Sequence, residues 1–170
     1  MALKEDKRFQ ETIYIDSLTG IYNRYFLYKF LPEIIQRAGN SNSNFGVVML
    51  DLDNFKNVND RHGHLKGDFV LKEVAKVLNS CIRGEDVAIR YAGDEFIILF
   101  IGRSGESISP DSFVAVAKRI VEKCAKSLFK TEGLELSVTI SAGLAIYPKD
   151  AKTVEDLIDV ADKALYLSIQ

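Results

Sequence analysis

The spacing of apolar residues along the chain predicts four helices. In residues 24–38 they recur every three or four positions, the spacing of one helix face. The same spacing predicts a second helix at about 64–81, a third that begins at Pro110 with Ser109 as its N-cap, and a fourth capped by Thr153. The residues expected to face inward on the third helix include Phe113, Ile120, Cys124 and Leu128.

Four further apolar segments predict strands. Residues 45–50 and 96–101 are continuous apolar runs, typical of strands buried on both faces, and 96–101 is expected to be central. Residues 87–91 form a third strand, and in 134–146 every second residue is apolar. Between 87–91 and 96–101, Ala92-Gly93-Asp94-Glu95 predicts a type II′ hairpin turn, because glycine takes positive φ without strain.

The order of these elements predicts the fold class. It is α-β-α-β-β-α-β-α, and two strands joined by a tight hairpin pair in antiparallel fashion. We therefore expect an α/β fold with a central mixed, largely antiparallel sheet flanked by helices.

Length and composition are those of an ordinary globular domain. The chain has 170 residues, of which 47% are hydrophobic, 27% charged and 10% aromatic. These values fit one domain with a buried core and argue against a disordered chain. Lys and Arg number 22 against 24 Asp and Glu, a formal charge of −2. A protein that coats nucleic acid needs a cationic surplus, so we expect no nucleic-acid partner.

Cysteine usage and the N-terminal sequence indicate a cytoplasmic domain. Cys81 and Cys124 are too few for a disulfide framework and are expected to be reduced core residues. The first eight residues lack a signal-peptide core, and the apolar runs are shorter than the ~18 residues of a membrane span. We expect no membrane contact by this domain, although a longer parent protein could carry an anchor. Residues 1–15 are expected to be a helical lead-in or linker from an upstream domain, and 16–170 the domain itself.

Two acidic clusters are candidates for metal chemistry. Asp51-Leu52-Asp53-Asn54-Phe55-Lys56 ends a predicted strand, and Asp94-Glu95 lies in the hairpin turn. Carboxylates at strand ends and turns can converge above a sheet, and oxygen ligands suit Mg²⁺. Taken alone, each cluster is more typical of capping and turn chemistry. An EF-hand is excluded, because Lys56 and His62 occupy the positions of its glycine and its last glutamate.

The segment between the two clusters suggests a nucleotide site. Lys56, a predicted helix N-terminus and nearby glycines make a plausible phosphate cradle. Asn59 and Asp68 could read a purine edge, since a carboxylate accepts the pair of N–H donors that guanine presents. His62 and His64 lack a third nitrogen or sulfur ligand nearby, so we expect them at a surface or capping position rather than on a metal.

Eight short motifs follow one another along nearly the whole chain, and their order is more specific than any one of them. They are Asp16-Ser17-Leu18-Thr19-Gly20-Ile21-Tyr22-Asn23-Arg24, Asp51-Leu52-Asp53-Asn54-Phe55-Lys56, Asn59-Asp60, Gly63-His64, Gly67-Asp68, Arg90-Tyr91-Ala92-Gly93-Asp94-Glu95-Phe96, Ser141-Ala142-Gly143 and Ala161-Asp162-Lys163-Ala164-Leu165-Tyr166. This set resembles the catalytic domain of diguanylate cyclases, the GGDEF family, which shares a palm-like fold with nucleotide cyclases and polymerases.

The resemblance implies a reaction and a set of roles. Two GTP would be condensed into cyclic di-GMP with release of two pyrophosphates, by two domains facing each other as a homodimer, with Mg²⁺ or Mn²⁺ as cofactor. The implied roles are metal binding by Asp51, the Leu52 carbonyl and Asp94, catalysis by Asp94, Glu95 and Lys56, and GTP contacts by Phe55, Lys56, Asn59, Asp68, Ala92 and Gly93. For Asp53 a structural role is favoured.

The chain departs from the family pattern at two places. Ala92 replaces the first glycine of the signature, and Ile169 stands where a phosphate-holding lysine is common, with the chain ending at Gln170. The alternative hypothesis is therefore a catalytically weak domain that binds GTP or cyclic di-GMP as a signal. The resemblance also implies an allosteric product site at Arg83 and Asp86, in the family's Arg-x-x-Asp arrangement, for which a surface ion pair is the alternative.

Overall fold

The computed structural model describes residues 13–102 and 106–168, with side chains described as far as Leu165. Its strands are β1 (Tyr22–Asn23), β2 (Phe45–Leu52), β3 (Val87–Ala92), β4 (Glu95–Ile101), β5 (Phe129–Thr131), β6 (Leu134–Leu136) and β7 (Ile140–Tyr147). Its helices are α1 (Arg24–Ser41), α2 (Phe55–His62), α3 (His64–Cys81), α4 (Pro110–Lys126) and α5 (Val154–Ser168). Most of the predicted lead-in, residues 1–12, lies outside the described residues.

A five-stranded sheet in the order β1-β3-β4-β2-β7 is the centre of the fold. β1 runs parallel to β3, and the other neighbours are antiparallel, which confirms the predicted mixed, largely antiparallel sheet. β4 is the middle strand, as its apolar run predicts. Ala92 pairs with Glu95 across a two-residue turn in which Gly93 has a φ of 49°, so the predicted hairpin is confirmed.

Helices cover both faces of this sheet. Val48, Leu50 and Leu52 of β2 point into one apolar cluster with α3 and α4. Val47 and Met49 point into a second cluster with α1 and α5. Because both faces are covered, β2 and β4 are apolar at nearly every position, which is why their sequences lack alternation.

Several elements differ from the sequence expectation. The segment 134–146 is divided between β6, which forms a separate hairpin with β5, and β7, which joins the main sheet. α4 ends at Lys126, so Leu128 is 59% exposed rather than buried. α2 was not predicted, because Phe55 is its buried residue and the others are polar or partly exposed, which leaves no apolar stripe. The two-residue strand β1 was also missed.

Thr153 and Ser109 both precede the helices that the sequence predicted them to cap. The Thr153 hydroxyl accepts a hydrogen bond from the Asp156 amide at 3.2 Å, so this cap is confirmed. Ser109 occupies the N-cap position of α4 with Pro110 after it, but its side chain makes no capping hydrogen bond.

Cys81 and Cys124 are buried free thiols, as expected, and burial raises the pKa of Cys124 to about 11. Within the described ranges, no helix is long and apolar enough to cross a membrane.

Gly143 allows α5 to pack directly on β7. A Cβ atom at this position would lie 2.0 Å from the Ala161 carbonyl oxygen and 2.3 Å from the Leu165 nitrogen. Both are helix backbone atoms, which cannot move away as the end of a flexible side chain can. This close approach holds α5 against the strand beside the site described below.

We predict that Gly143→Ala lowers the free energy of unfolding by about 2–3 kcal/mol, because the added methyl group overpacks a rigid contact. Urea unfolding followed by circular dichroism measures the change. Gly84→Ala is the matched control: a Cβ there meets nothing within 4 Å, and its effect should stay within about 0.5 kcal/mol. Equal stability of the two variants would show that α5 does not need the close approach.

Candidate active site at the end of the central strands

Acidic side chains meet where β2 ends beside the β3–β4 turn. Asp51 lies directly opposite Glu95 in the antiparallel pair of β2 and β4, so both side chains are on the same face of the sheet. The Leu52 amide donates to the carbonyl oxygen of Asp94 at 3.4 Å, which holds the turn against the end of β2. The structure therefore brings together Asp51, Leu52, Asp94 and Glu95, which the sequence placed in two separate clusters.

The crowding of negative charge changes the acidity of these groups. Burial, followed by the charges of Asp94 and Glu95, raises the pKa of Asp51 to about 6. Burial and the charges of Asp162 and Asp94 raise the pKa of Glu95. Asp162, on α5, was noted only as part of a sequence motif. Its place among the polar residues of an amphipathic helix was a signal, but its contact with the sheet depends on how α5 packs.

The donors fit a divalent cation by chemistry. Carboxylate and carbonyl oxygens are the ligands that Mg²⁺ prefers. Burial and the neighbouring negative charges together raise the pKa of Asp51, and a cation would offset those charges. The described side chains form no group of three or more His, Cys, Asp or Glu residues arranged to hold an ion. The oxygens are thus present at one end of the sheet without a closed coordination shell.

Asp53 has a structural role. Its two carboxylate oxygens accept hydrogen bonds from the hydroxyls of Thr139 at 2.5 Å and Ser141 at 2.7 Å. Its amide also donates to the Thr139 carbonyl at 3.0 Å. These contacts join the end of β2 to the start of β7, in agreement with the role that the sequence favoured.

Arg90 links the turn to the start of the domain. Its Nε donates to the Gly93 carbonyl at 3.0 Å, and its guanidinium contacts both carboxylate oxygens of Asp16 at 3.2 and 3.3 Å. Burial alone would raise the pKa of Asp16, but hydrogen bonds from Thr19 and the charge of Arg90 hold it below its usual value. Sequence reasoning gave Arg90 no role, because its partner Asp16 lies 74 residues away.

The short helix α2 follows the acidic end of β2 and carries two of the expected GTP contacts. Lys56 is exposed in its first turn and has no ion pair within the described part of the chain. Asn54 precedes the helix in a left-handed conformation, with φ of 56°, and its side chain makes no capping bond. The first-turn amides of α2 are therefore not taken by the Asn54 side chain. Phe55 is buried in the core and anchors this turn.

The expected base-recognition residues lie on adjoining helices. Gly67, in the first turn of α3, faces the Asn59 side chain so closely that a Cβ would lie 1.9 Å from Asn59 Oδ1. Gly67 thus makes the space in which Asn59 sits, next to the turn that carries Asp68. Asn59 and Asp68 are both half-buried, while His62 and His64 are exposed.

Arg83 and Asp86 lie away from the acidic end of the sheet. The Asp86 carboxylate accepts from the amides of Arg83 at 3.0 Å and Ile101 at 3.1 Å, which closes the open end of the β3–β4 hairpin. Six residues of β3 separate this end from the Gly93–Asp94 turn, a distance of roughly 20 Å. The Arg119 guanidinium, nearby on α4, donates to the Cys81 carbonyl.

We predict that Asp51→Asn stabilises the metal-free protein above pH 7. The folded-state pKa of Asp51 is raised, so its ionised form opposes folding at high pH, whereas below about pH 4 the carboxyl is neutral in both states. Because the Asp51 side chain is still partly exposed to solvent, we expect a gain of only about 1 kcal/mol, or a rise in Tm of about 2–4 °C, at pH 8. The gain should be much smaller at pH 4, which is close to the ordinary pKa of the carboxyl.

Thermal melts at both pH values in EDTA measure this difference. Asp60→Asn, an exposed change on α2, is the matched control and should show no pH-dependent gain. An Asp51→Asn variant as stable as the parent at pH 8 would contradict the charge crowding.

The sequence matches one protein family over nearly its whole length. Residues 13–169 match the family described as "Diguanylate cyclase, GGDEF domain". Diguanylate cyclase A of Treponema denticola is 36% identical over 158 residues, which cover 91% of this chain and 41% of that protein. Other relatives at similar identity are named cyclic di-GMP phosphodiesterases. The chain spans between about a fifth and two fifths of the first three curated relatives it matches.

Solved structures agree with the fold. A sensory box/GGDEF family protein from Caulobacter crescentus has a TM-score of 0.82 at 37% identity, over 92% of this chain and 97% of that one. The GGDEF domain of DgcB from Caulobacter crescentus, solved in complex with c-di-GMP, has a TM-score of 0.83 at 27% identity, over 92% and 88%. With the palm-like sheet and the acidic turn already in place, the sequence match over nearly the whole chain decides the assignment: the chain belongs to the GGDEF domain family.

Proposed function

We propose that this domain is a diguanylate cyclase that condenses two GTP into cyclic di-GMP and releases two pyrophosphates. The observation that carries the proposal is the arrangement of Asp51, Asp94 and Glu95 at one end of the sheet, next to the first turn of α2 with Lys56. Family membership and a relative named as a diguanylate cyclase support it. GTP is a cytoplasmic nucleotide, so we place the reaction in the cytoplasm.

Each part of GTP has a proposed partner in the site. Asn59 and Asp68 recognise guanine, because a carboxylate accepts both of its edge N–H donors, a pair that adenine lacks. Lys56 and the first-turn amides of α2 bind the phosphates. Ala92 and Gly93 lie at the exposed turn, where their small size leaves the nucleotide room to approach the protein backbone.

The acidic groups have two proposed tasks. Asp51, the Leu52 carbonyl and Asp94 would hold Mg²⁺, or Mn²⁺ in its place, and when bound this ion supplies positive charge that offsets the phosphoryl oxygens. Asp94 is also proposed to accept the proton of a ribose 3′-hydroxyl, with Glu95 as a second acidic group. The ionised state of Asp51 that this requires is favoured above its raised pKa.

Catalysis is proposed to need two copies of the domain. One domain binds one GTP, and the ring of cyclic di-GMP has two phosphodiester bonds, each formed by the 3′-hydroxyl of one GTP on the α-phosphorus of the other. Two domains must therefore face each other as a homodimer. We also propose an upstream sensory or regulatory domain, since the chain is a minor part of its curated relatives.

A second candidate function is a binding module for GTP or cyclic di-GMP. The observations that favour it are Ala92 in the signature turn, Ile169 at the position of an expected lysine, and relatives named as phosphodiesterases. Ile169 lies outside the described residues. We rank synthesis first because each acidic group assigned to the reaction is retained.

We predict that Asp94→Asn abolishes cyclic di-GMP synthesis and leaves the fold intact. Asparagine is nearly the same size, and the turn depends on Gly93, but the variant loses the charge and the proton acceptor. Activity should fall by at least about 100-fold in a pyrophosphate-release assay with GTP and Mg²⁺ at high protein concentration. Asp60→Asn is the control and should keep the parent rate. GTP binding without turnover in the parent protein would instead support the binding module.

We also propose that Arg83 and Asp86 form a product site for feedback inhibition. Arg83 is exposed and can stack on a guanine base or bind a phosphate. Asp86 already accepts two backbone hydrogen bonds, so replacing it would disturb the hairpin as well as any ligand. Arg83 is therefore the residue with which to test the site.

We predict that Arg83→Ala weakens cyclic di-GMP binding about tenfold or more without changing the affinity for GTP, because the two sites are roughly 20 Å apart. Isothermal titration with each nucleotide measures both. Arg37→Ala, which removes an exposed arginine from α1, should bind both nucleotides as the parent does. If Arg83→Ala binds cyclic di-GMP as tightly as Arg37→Ala does, then Arg83 and Asp86 form only a surface contact.

A further inference from the structure

The outer edge of the sheet is open at β7. Within the main sheet β7 pairs only with β2, so its other side faces no strand among the described residues. The hydrogen bond from the Asp53 amide to the Thr139 carbonyl shows that the backbone of Thr139 faces β2. In an antiparallel pair this orientation alternates. The residues whose N–H and C=O groups point away from β2 are therefore Ile140, Ala142, Leu144 and Ile146.

One end of this edge is closed. The Asp150 carboxylate accepts from the Ile146 amide at 2.8 Å, and the Asp150 amide donates to the Ile146 carbonyl at 2.8 Å. The backbone groups of Ile140, Ala142 and Leu144 have no hydrogen-bond partner in the part of the chain that the structure describes. They span roughly 14 Å, enough to pair with an added strand of five residues.

A groove runs along the open edge, with α4 as its wall. It has a volume of about 710 Å³, and its apolar lining includes Ala142 and Leu144 from β7 and Val114, Ala117 and Val121 from α4. Val114 is 40% exposed, although it lies on the side of α4 that faces the sheet edge. The groove thus offers apolar contacts to alternate side chains of a strand that pairs with β7.

The groove also carries an available positive charge. Lys118 lines it and has no ion pair within the described ranges. Glu122, one turn further along α4, also lines the groove, and it lies 3.7 Å from Lys126. Lys118 is therefore the charged lining residue without an ion-pair partner in the described ranges, and a carboxylate is the group that complements it.

We propose that this groove binds an extended peptide segment of a partner protein, which adds as a sixth strand to β7. Its backbone pairs with Ile140, Ala142 and Leu144, its alternate apolar side chains contact α4, and one carboxylate on that side meets Lys118. Strand addition of this kind takes affinity from backbone hydrogen bonds and specificity from the alternate side chains. The proposal does not depend on cyclic di-GMP synthesis.

The probe is a synthetic peptide blocked at both ends, Thr-Val-Thr-Glu-Thr-Val-Thr-Val-Thr, in which one face carries valines and a single carboxylate. Two further versions carry N-methyl groups on alternate amides, one on the threonines and one on the remaining residues. Only one of these two sets of backbone amides can point toward β7 in an added strand. We expect the parent peptide and one methylated version to bind with comparable affinity. The other methylated version should show no binding at peptide concentrations up to about 1 mM, which corresponds to a binding free energy of about −4 kcal/mol.

The protein variants test the charge and the location. Lys118→Glu should weaken binding about tenfold, while Lys72→Glu, the same change at an exposed site on α3, should not. In ¹⁵N-labelled protein, the amides of Ile140, Ala142 and Leu144 should shift and exchange more slowly with D₂O. The amides of Ser141 and Gly143, already facing β2, should change little.

Three results would overturn the proposal. One is equal binding of both N-methylated peptides, which would show that no backbone pairing occurs. Another is an equal effect of Lys118→Glu and Lys72→Glu. The third is concentration-dependent protection of the Ile140, Ala142 and Leu144 amides in the protein without peptide, because the edge would then be covered by a second copy of the chain.

Discussion

The register of β2 between β4 and β7 is the constraint on which the site depends. It sets Asp51 opposite Glu95 on one side and Ser141 on the other. A slip of one residue would move the Asp51 side chain to the face covered by α3 and α4. The apolar residues that precede Asp51 are buried on both faces, and their packing fixes this register. The core that stabilises the domain therefore also aims the carboxylates of Asp51 and Glu95.

The site itself opposes folding. Asp51 and Glu95 lie close together with Asp94 and Asp162. Burial, with the mutual repulsion of these carboxylates added to it, raises the pKa of Asp51 to about 6. Such a cluster persists because the surrounding sheet holds it and because a cation or a charged ligand can relieve it. The described carboxylates share one electrostatic field without forming a closed coordination shell. A cation that bound here would be held by charge more than by a preformed geometry.

Sequence patterns were sufficient to predict the elements that bury an apolar stripe or an apolar run. They were insufficient where an element or a residue's role depends on a contact with a distant part of the chain. β2 and β4 were predictable because both of their faces are covered. α2 was not, since Phe55 is the one anchor of an otherwise polar helix. The part played by Arg90 could not be read from spacing, because its partner Asp16 lies 74 residues away. Asp162 is a similar case: its position on α5 was visible, but its approach to Glu95 depends on the close packing that Gly143 permits.

The geometry of the turn shows that Ala92, the departure within the signature, does not disturb the fold. Gly93 has a φ of 49°, whereas the described non-glycine residues with positive φ are Asn42, Asn54 and Glu132, and not Ala92. Ala92 is exposed at the end of β3 and pairs with Glu95, so its methyl group adds no backbone strain. Alanine at position 92 is thus compatible with the turn that presents Asp94. Any effect of Ala92 must come from the space above the turn, where a nucleotide would approach, and so it acts on binding or catalysis and not on the folding of the domain.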